Sequence, residues 1–78
     1  MIVMADTPLK RMRLELGVSQ ESVARRTRSV TTGTVKNAEN GKRITYTNAN
    51  QILEAINILL ADNGREPVNL NDLGLNLY

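Results

Sequence analysis

Apolar residues recur at helical intervals along most of this chain, and the intervals break where polar caps and glycines stand. Leu9, Met12 and Leu16 fall at i, i+3 and i+7, which lines one face of a helix. Thr7 precedes them with a hydroxyl suited to an N-cap. Pro8 fits the first helical position, where its missing N–H costs nothing, and Gly17 is placed to end the helix. Ser19 opens a second helix with Glu21 in its first turn, facing the positive end of the dipole. Val23 and Ala24 are its inward residues, and it is expected to run out near Thr27. Arg28, Ser29 and Val30 then read as a polar turn with one apolar plug.

A third helix is expected to open at Thr31 or Thr32, either of which can cap it, and to run through Val35 and Ala38 to Asn40. Gly41 ends it, and Gly41-Lys42-Arg43 makes a basic turn. Thr45 caps a fourth helix with the strongest amphipathic pattern in the chain: Ala49, Ile52, Leu53, Ile56, Leu59 and Leu60, ending at Asn63 before Gly64. After a break at Arg65-Glu66-Pro67, Asn69 is placed to cap a short turn from Leu70 to Leu73. Gly74 and an apolar tail, Leu75-Asn76-Leu77-Tyr78, follow. The pattern predicts an all-α fold of four helices and a last short helical turn.

Composition narrows the chemistry. The 78 residues suit one domain with a modest core. Without cysteine there is neither a disulfide framework nor a thiolate metal site; without histidine the commonest general base and metal ligand are missing. No catalytic residue, metal ligand, cofactor or small-molecule substrate is therefore expected, and the chain does not read as an enzyme. No apolar run reaches the roughly 18–20 residues of a membrane span, and the opening residues lack the basic stretch of a secretory signal. The expected location is the cytoplasm, with no membrane partner.

Charge adds a direction. Residues 1–45 hold nine of the ten basic residues against four acidic ones, a balance of +5, whereas residues 46–78 balance to −3. A basic half set against an acidic half points to a polyanionic partner on one side. Two short helices joined by a tight turn, the second opening with small polar residues, also meet the mechanical need for reading a DNA major groove, which admits one helix.

The residues Leu9-x-x-Met12-Arg13-x-x-x-Gly17-Val18-Ser19-Gln20-x-x-Val23-Ala24, then Val30-Thr31-x-x-Thr34-Val35 and Glu39-Asn40-Gly41, resemble the lambda-repressor-like Xre/Cro family of helix-turn-helix domains. The resemblance covers about residues 9 to 60. It implies a five-helix bundle in which the second helix positions the third on DNA. It also implies an ion pair between Arg13 and Glu39 that ties the first helix to the end of the third. Two departures stand out. Arg28 occupies the place where the family usually has glycine, and one extra residue lies between Ala24 and Glu39, best fitted in the turn around Arg28-Ser29.

With Val35 and Ala38 inward, Thr32, Gly33, Lys36 and Asn37 fall on the outward side of the third helix and are the expected base contacts. A carboxamide such as that of Asn37 pairs bidentately with adenine, and Lys36 can reach a guanine or a phosphate. Gln20, Thr34, Asn40, Lys42, Arg43 and Arg28 are the expected phosphate contacts, which position without specifying sequence. The family counterpart of Gln20 grips a phosphate and braces the reading helix. Thr31 is expected as a cap.

The domain organisation that follows is a flexible N-terminal arm (1–7), a helix-turn-helix DNA-binding domain (8–63) and a C-terminal tail with a short helical turn (64–78). The expected function is that of a sequence-specific transcriptional regulator on double-stranded DNA, acting as a homodimer. Leu70, Leu73, Leu75, Leu77 and Tyr78 are the candidate dimer contact, or else they cap the monomer core. The competing expectation is a helix-turn-helix fold used to bind another protein, as an interaction module or an antitoxin-type repressor. Such a module should carry apolar residues at 32, 33, 36 and 37, where this chain has Thr, Gly, Lys and Asn.

Overall fold

Each α-helix among the described residues begins at a hydroxyl group. In the computed structural model, which describes residues 7–78, the helices are α1 (Pro8–Leu16), α2 (Gln20–Arg25), α3 (Thr32–Glu39) and α4 (Tyr46–Asp62). The oxygens of Thr7, Ser19, Thr31 and Thr45 accept the backbone N–H three residues on, at 3.0–3.2 Å. Each bond satisfies a donor that has no partner within the helix, which is worth about 1 kcal/mol per cap. Of the expected N-terminal arm, only Thr7 falls among the described residues; the rest lies outside them.

The inward faces of the four helices meet in one core. Leu9 of α1, Val23 of α2, Val35 and Ala38 of α3, and Ala49, Ile52, Ala55 and Ile56 of α4 are fully buried. Val30 plugs the turn between α2 and α3, and Leu59 and Leu60 continue the buried stripe toward the end of α4. Met12, Leu16 and Leu53 pack against this core while half-buried. Along α4 the buried face is shifted by a fraction of a turn from the expected one, taking in Ala55 and leaving Leu53 at the margin.

The C-terminal segment differs from a fifth α-helix. Leu70–Leu73 forms a single 3-10 turn, with Asp72 Oδ2 reaching back to accept the Asn69 N–H at 2.8 Å. Leu73 is fully buried in the core of its own chain, and Leu70, Leu75 and Leu77 pack against it. Beyond the turn, β2 (Asn76–Leu77) pairs in parallel with β1 (Arg43–Ile44), in the register Arg43 with Asn76 and Ile44 with Leu77. Parallel strands need a long crossover; here α4 and the 3-10 turn supply it. Strands of two residues are too short to carry a period, so this ribbon left no trace in the hydrophobic pattern.

Gly74 joins the 3-10 turn to β2 at φ +64°, and a Cβ there would lie 2.5 Å from Cδ of Pro8. The position thus requires glycine twice over, for its left-handed backbone and for the close approach of the C-terminal turn to the start of α1. Among the described residues, no helix is long and apolar enough to cross a membrane.

Candidate nucleic-acid interface

The candidate interface is built on α2 and α3. Val35 and Ala38 are fully buried, so the helical period turns Thr32, Gly33, Lys36 and Asn37 outward. All four are exposed. Among the described residues, the side chains of Thr32, Lys36 and Asn37 make no intramolecular hydrogen bond or ion pair. Gly33 lies in the first turn of α3, and an added Cβ would meet only Thr31 Oγ1, at 3.7 Å. Nothing in the folded chain therefore demands glycine there.

Thr31 and Thr34 start the helix. Thr31 Oγ1 accepts the Thr34 N–H at 3.1 Å, and the two hydroxyls are 3.1 Å apart. Thr34, read from sequence as a phosphate contact, is half-buried and shares its hydroxyl with the cap. At the other end, Asn40 is the C-cap and is exposed. The Lys42 N–H donates to Asn37 O at 2.9 Å and the Gly41 N–H to Ala38 O at 3.2 Å. With Gly41 at φ +82°, these bonds form a Schellman turn, which directs the chain out of α3 into the exposed basic pair Lys42 and Arg43.

A buried charge cluster holds α3 in place. Arg13 Nε and Nη2 donate to Glu39 Oε2 and Oε1 at 2.6 and 3.0 Å, and Arg13 Nη1 donates to the Val18 carbonyl at 2.9 Å. Gln20 Nε2 donates to the same Glu39 Oε1 at 3.1 Å. One carboxylate thus collects α1, the entry to α2 and the last residue of α3. Both charged side chains are at least nine-tenths buried, and among the described residues no buried side-chain nitrogen or oxygen lacks a partner. The Arg13–Glu39 pair implied by resemblance is present. Gln20 braces the end of α3 with one amide hydrogen and keeps a second hydrogen for other partners.

The turn between α2 and α3 has its own support. Arg28 and Ser29 both donate their backbone N–H groups to Gln51 Oε1 of α4, at 3.0 and 2.9 Å, and Gln51 Nε2 donates to Ser29 Oγ at 3.1 Å. Among the described residues no non-glycine residue has positive φ. The turn is therefore made without a left-handed residue, and Arg28 stands where glycine is usual at no backbone cost. Sequence reading missed Gln51, because a carboxamide on a helix flank announces nothing about a turn some twenty residues upstream. It also missed Asn76 and Tyr78, which contact the basic turn after α3.

The charges divide accordingly. Glu39 is neutralised by Arg13, and Glu21 by Arg25 at 2.9 Å on the surface of α2. Arg26, Arg28, Lys36 and Lys42 enter no ion pair among the described residues. Arg43 lies over the ring of Tyr78. The turn before α3, its outward face and the turn after it thus carry cations that have no carboxylate partner in the fold.

Comparison with known protein families matches residues 9–62 to the family described as Helix-turn-helix. No curated protein and no solved structure matches the chain. The matched span runs from the first core residue of α1 to the last residue of α4, taking in the buried Arg13–Glu39 cluster, the α2–α3 unit and the basic turn. The chain belongs to the Xre/lambda-repressor-like helix-turn-helix family of DNA-binding regulators.

Proposed function

We propose that the protein regulates transcription by sequence-specific binding of double-stranded DNA, with α3 inserted in the major groove. Thr32, Gly33, Lys36 and Asn37 face the base edges. Gln20, Arg28, Asn40, Lys42 and Arg43 lie toward the phosphates, with Thr34 at their margin. The observation that carries this reading is the outward face of α3, where Thr32, Gly33, Lys36 and Asn37 are exposed, small or polar, and their side chains make no intramolecular hydrogen bond or ion pair among the described residues. A helix of this kind fits a groove roughly 12 Å wide and presents a carboxamide with both hydrogen-bonding edges open. The protein-docking alternative loses support because positions 32, 33, 36 and 37 carry Thr, Gly, Lys and Asn where a docking face would be apolar. The burial of Leu73 and the packing of Leu70, Leu75 and Leu77 on their own chain favour the core-capping role of the tail over a dimer contact there.

One reading helix covers only a few base pairs, which is too little to single out a genomic site. The proposed functional unit is therefore a two-fold dimer, with reading helices roughly 34 Å apart on one face of the duplex. The experiment is selection of bound sequences from a randomised duplex library, followed by anisotropy on the enriched sites. A motif with two inverted half-sites, one helical turn apart, is the expected result. No enrichment, together with binding indifferent to salt, would remove the DNA reading.

A further inference from the structure

Past α3 the chain makes its basic turn, and three contacts from the C-terminal residues close on it. Asn76 Nδ2 donates to the Gly41 carbonyl at 3.3 Å. The Tyr78 N–H donates to the Ile44 carbonyl at 3.1 Å, continuing the pairing of β1 with β2. The guanidinium carbon of Arg43 lies 5.4 Å from the centre of the Tyr78 ring, inside the range of a cation–π contact. Together they bracket Lys42 and engage Arg43 itself. Tyr78 is 75% exposed, so its ring does not fill the core.

We propose that Tyr78 is a positioning residue for DNA binding, whose ring holds the Arg43 guanidinium in the orientation from which it meets a phosphate. Asn76 and the β1–β2 pairing fix the backbone beneath it. The inference rests on the reading of Arg43 as a phosphate contact. An arginine side chain has many rotamers, and ordering it at the moment of binding lowers affinity. A cation–π contact with the ring takes no hydrogen-bond acceptor, so the guanidinium keeps N–H donors for another partner. A phosphate takes those donors in pairs, so ring and phosphate draw on the same group in different ways. Among the described residues, no acceptor engages the Arg43 donors. The ring therefore pre-orders the arginine and does not sequester it.

The test is a double-mutant cycle on the full 78-residue chain, read by fluorescence anisotropy on a short mixed-sequence DNA duplex at low salt. Arg43→Ala is expected to weaken binding and to flatten the slope of log K on log [salt] by about 0.9. Tyr78→Ala should weaken binding about fivefold, part of the ordering cost of one arginine. In the Arg43→Ala background the same change should have no effect. Tyr78→Phe keeps the ring and should bind as the unaltered chain does. Tyr78→Leu keeps bulk without a π face and should behave as Tyr78→Ala. In proton NMR, the Arg43 side-chain resonances should be shifted upfield by the ring and lose that shift in Tyr78→Ala.

Three outcomes overturn the proposal while leaving the DNA reading intact. They are unchanged binding by Tyr78→Ala, tighter binding by it, and equal weakening with and without Arg43. An unaltered chain that shows no salt-dependent binding removes the DNA reading, and the role of Tyr78 with it.

Discussion

Gln51 holds the turn before α3 through Ser29, accepting its N–H at 2.9 Å and returning a bond to its Oγ at 3.1 Å. The Arg28 N–H shares the same carboxamide oxygen. This contact spans the turn by which the chain leaves α2 for α3. Gln51→Ala is expected to lower stability by about 1 kcal/mol, since the freed N–H groups are exposed and water replaces the carboxamide. The loss in affinity for the selected duplex should exceed that on a mixed-sequence one, because a tilted α3 misplaces base contacts first. Urea denaturation and anisotropy on both duplexes measure the two effects. Equal binding by Gln51→Ala and the unaltered chain would show that the turn holds its angle without Gln51.

The Arg13–Glu39 pair predicts a different asymmetry. Glu39→Ala strands a buried guanidinium and should lose about 3–5 kcal/mol, enough to unfold much of a small domain. Replacing both residues together, Arg13→Met with Glu39→Leu, removes the stranded charge and should recover most of that loss. Chemical denaturation followed by circular dichroism gives both numbers. A double variant no more stable than Glu39→Ala would mean that the bond from Gln20 Nε2, and not the buried charge, dominates the cluster.

Gly33 separates folding from recognition. Because a Cβ there would meet nothing closer than 3.7 Å, Gly33→Ala should stabilise the free protein by about 0.5–1 kcal/mol through helix propensity alone. On DNA the added methyl would stand between α3 and the groove floor, and specific affinity should fall about fivefold to tenfold. Thermal melting and anisotropy on the selected site are read side by side. If Gly33→Ala binds as tightly as the original, Gly33 leaves the interface, and Lys36 and Asn37 remain as its readers.

Lys42 and Asn37 should fail in different ways. Lys42→Ala is expected to weaken binding to every sequence and to reduce the salt slope by about 0.9, the loss of one phosphate contact. Asn37→Ala should leave the slope alone and relax the preference at one base pair, a discrimination of about 1–3 kcal/mol. A titration series in salt on matched and mismatched duplexes distinguishes them. The assignment of the two roles fails if Asn37→Ala changes the slope while Lys42→Ala changes the preference.

What the sequence made legible here was local. All four hydroxyl caps act over three residues, so Thr7, Ser19, Thr31 and Thr45 could be read from spacing alone, as could the outward set on α3 once Val35 and Ala38 were placed inward. The contacts that escaped reading join residues far apart: Gln51 to Ser29, Asn76 to Gly41, Tyr78 to Arg43. None has a periodic signature, and each depends on how α4 crosses the bundle. Composition alone left the tail leucines between two roles; the depth of Leu73 in the core places that residue inside its own chain. Thr34 was expected to face phosphate because it lies in α3, but its hydroxyl lies against that of Thr31, a pairing that spacing suggests as readily.

The parallel pairing of Arg43–Ile44 with Asn76–Leu77 has a consequence for synthesis. The flank of α3 is completed by residues made more than thirty positions later, and the core waits for Leu73, fully buried. A chain that stops at the end of α4 has all four helices but lacks the residues that close on the basic turn. Such long-range closure comes late in folding, since the loop must be ordered before the contacts that reward it form. A fragment truncated before Leu73 would therefore keep its four helices and still leave the core open and the basic turn unclosed.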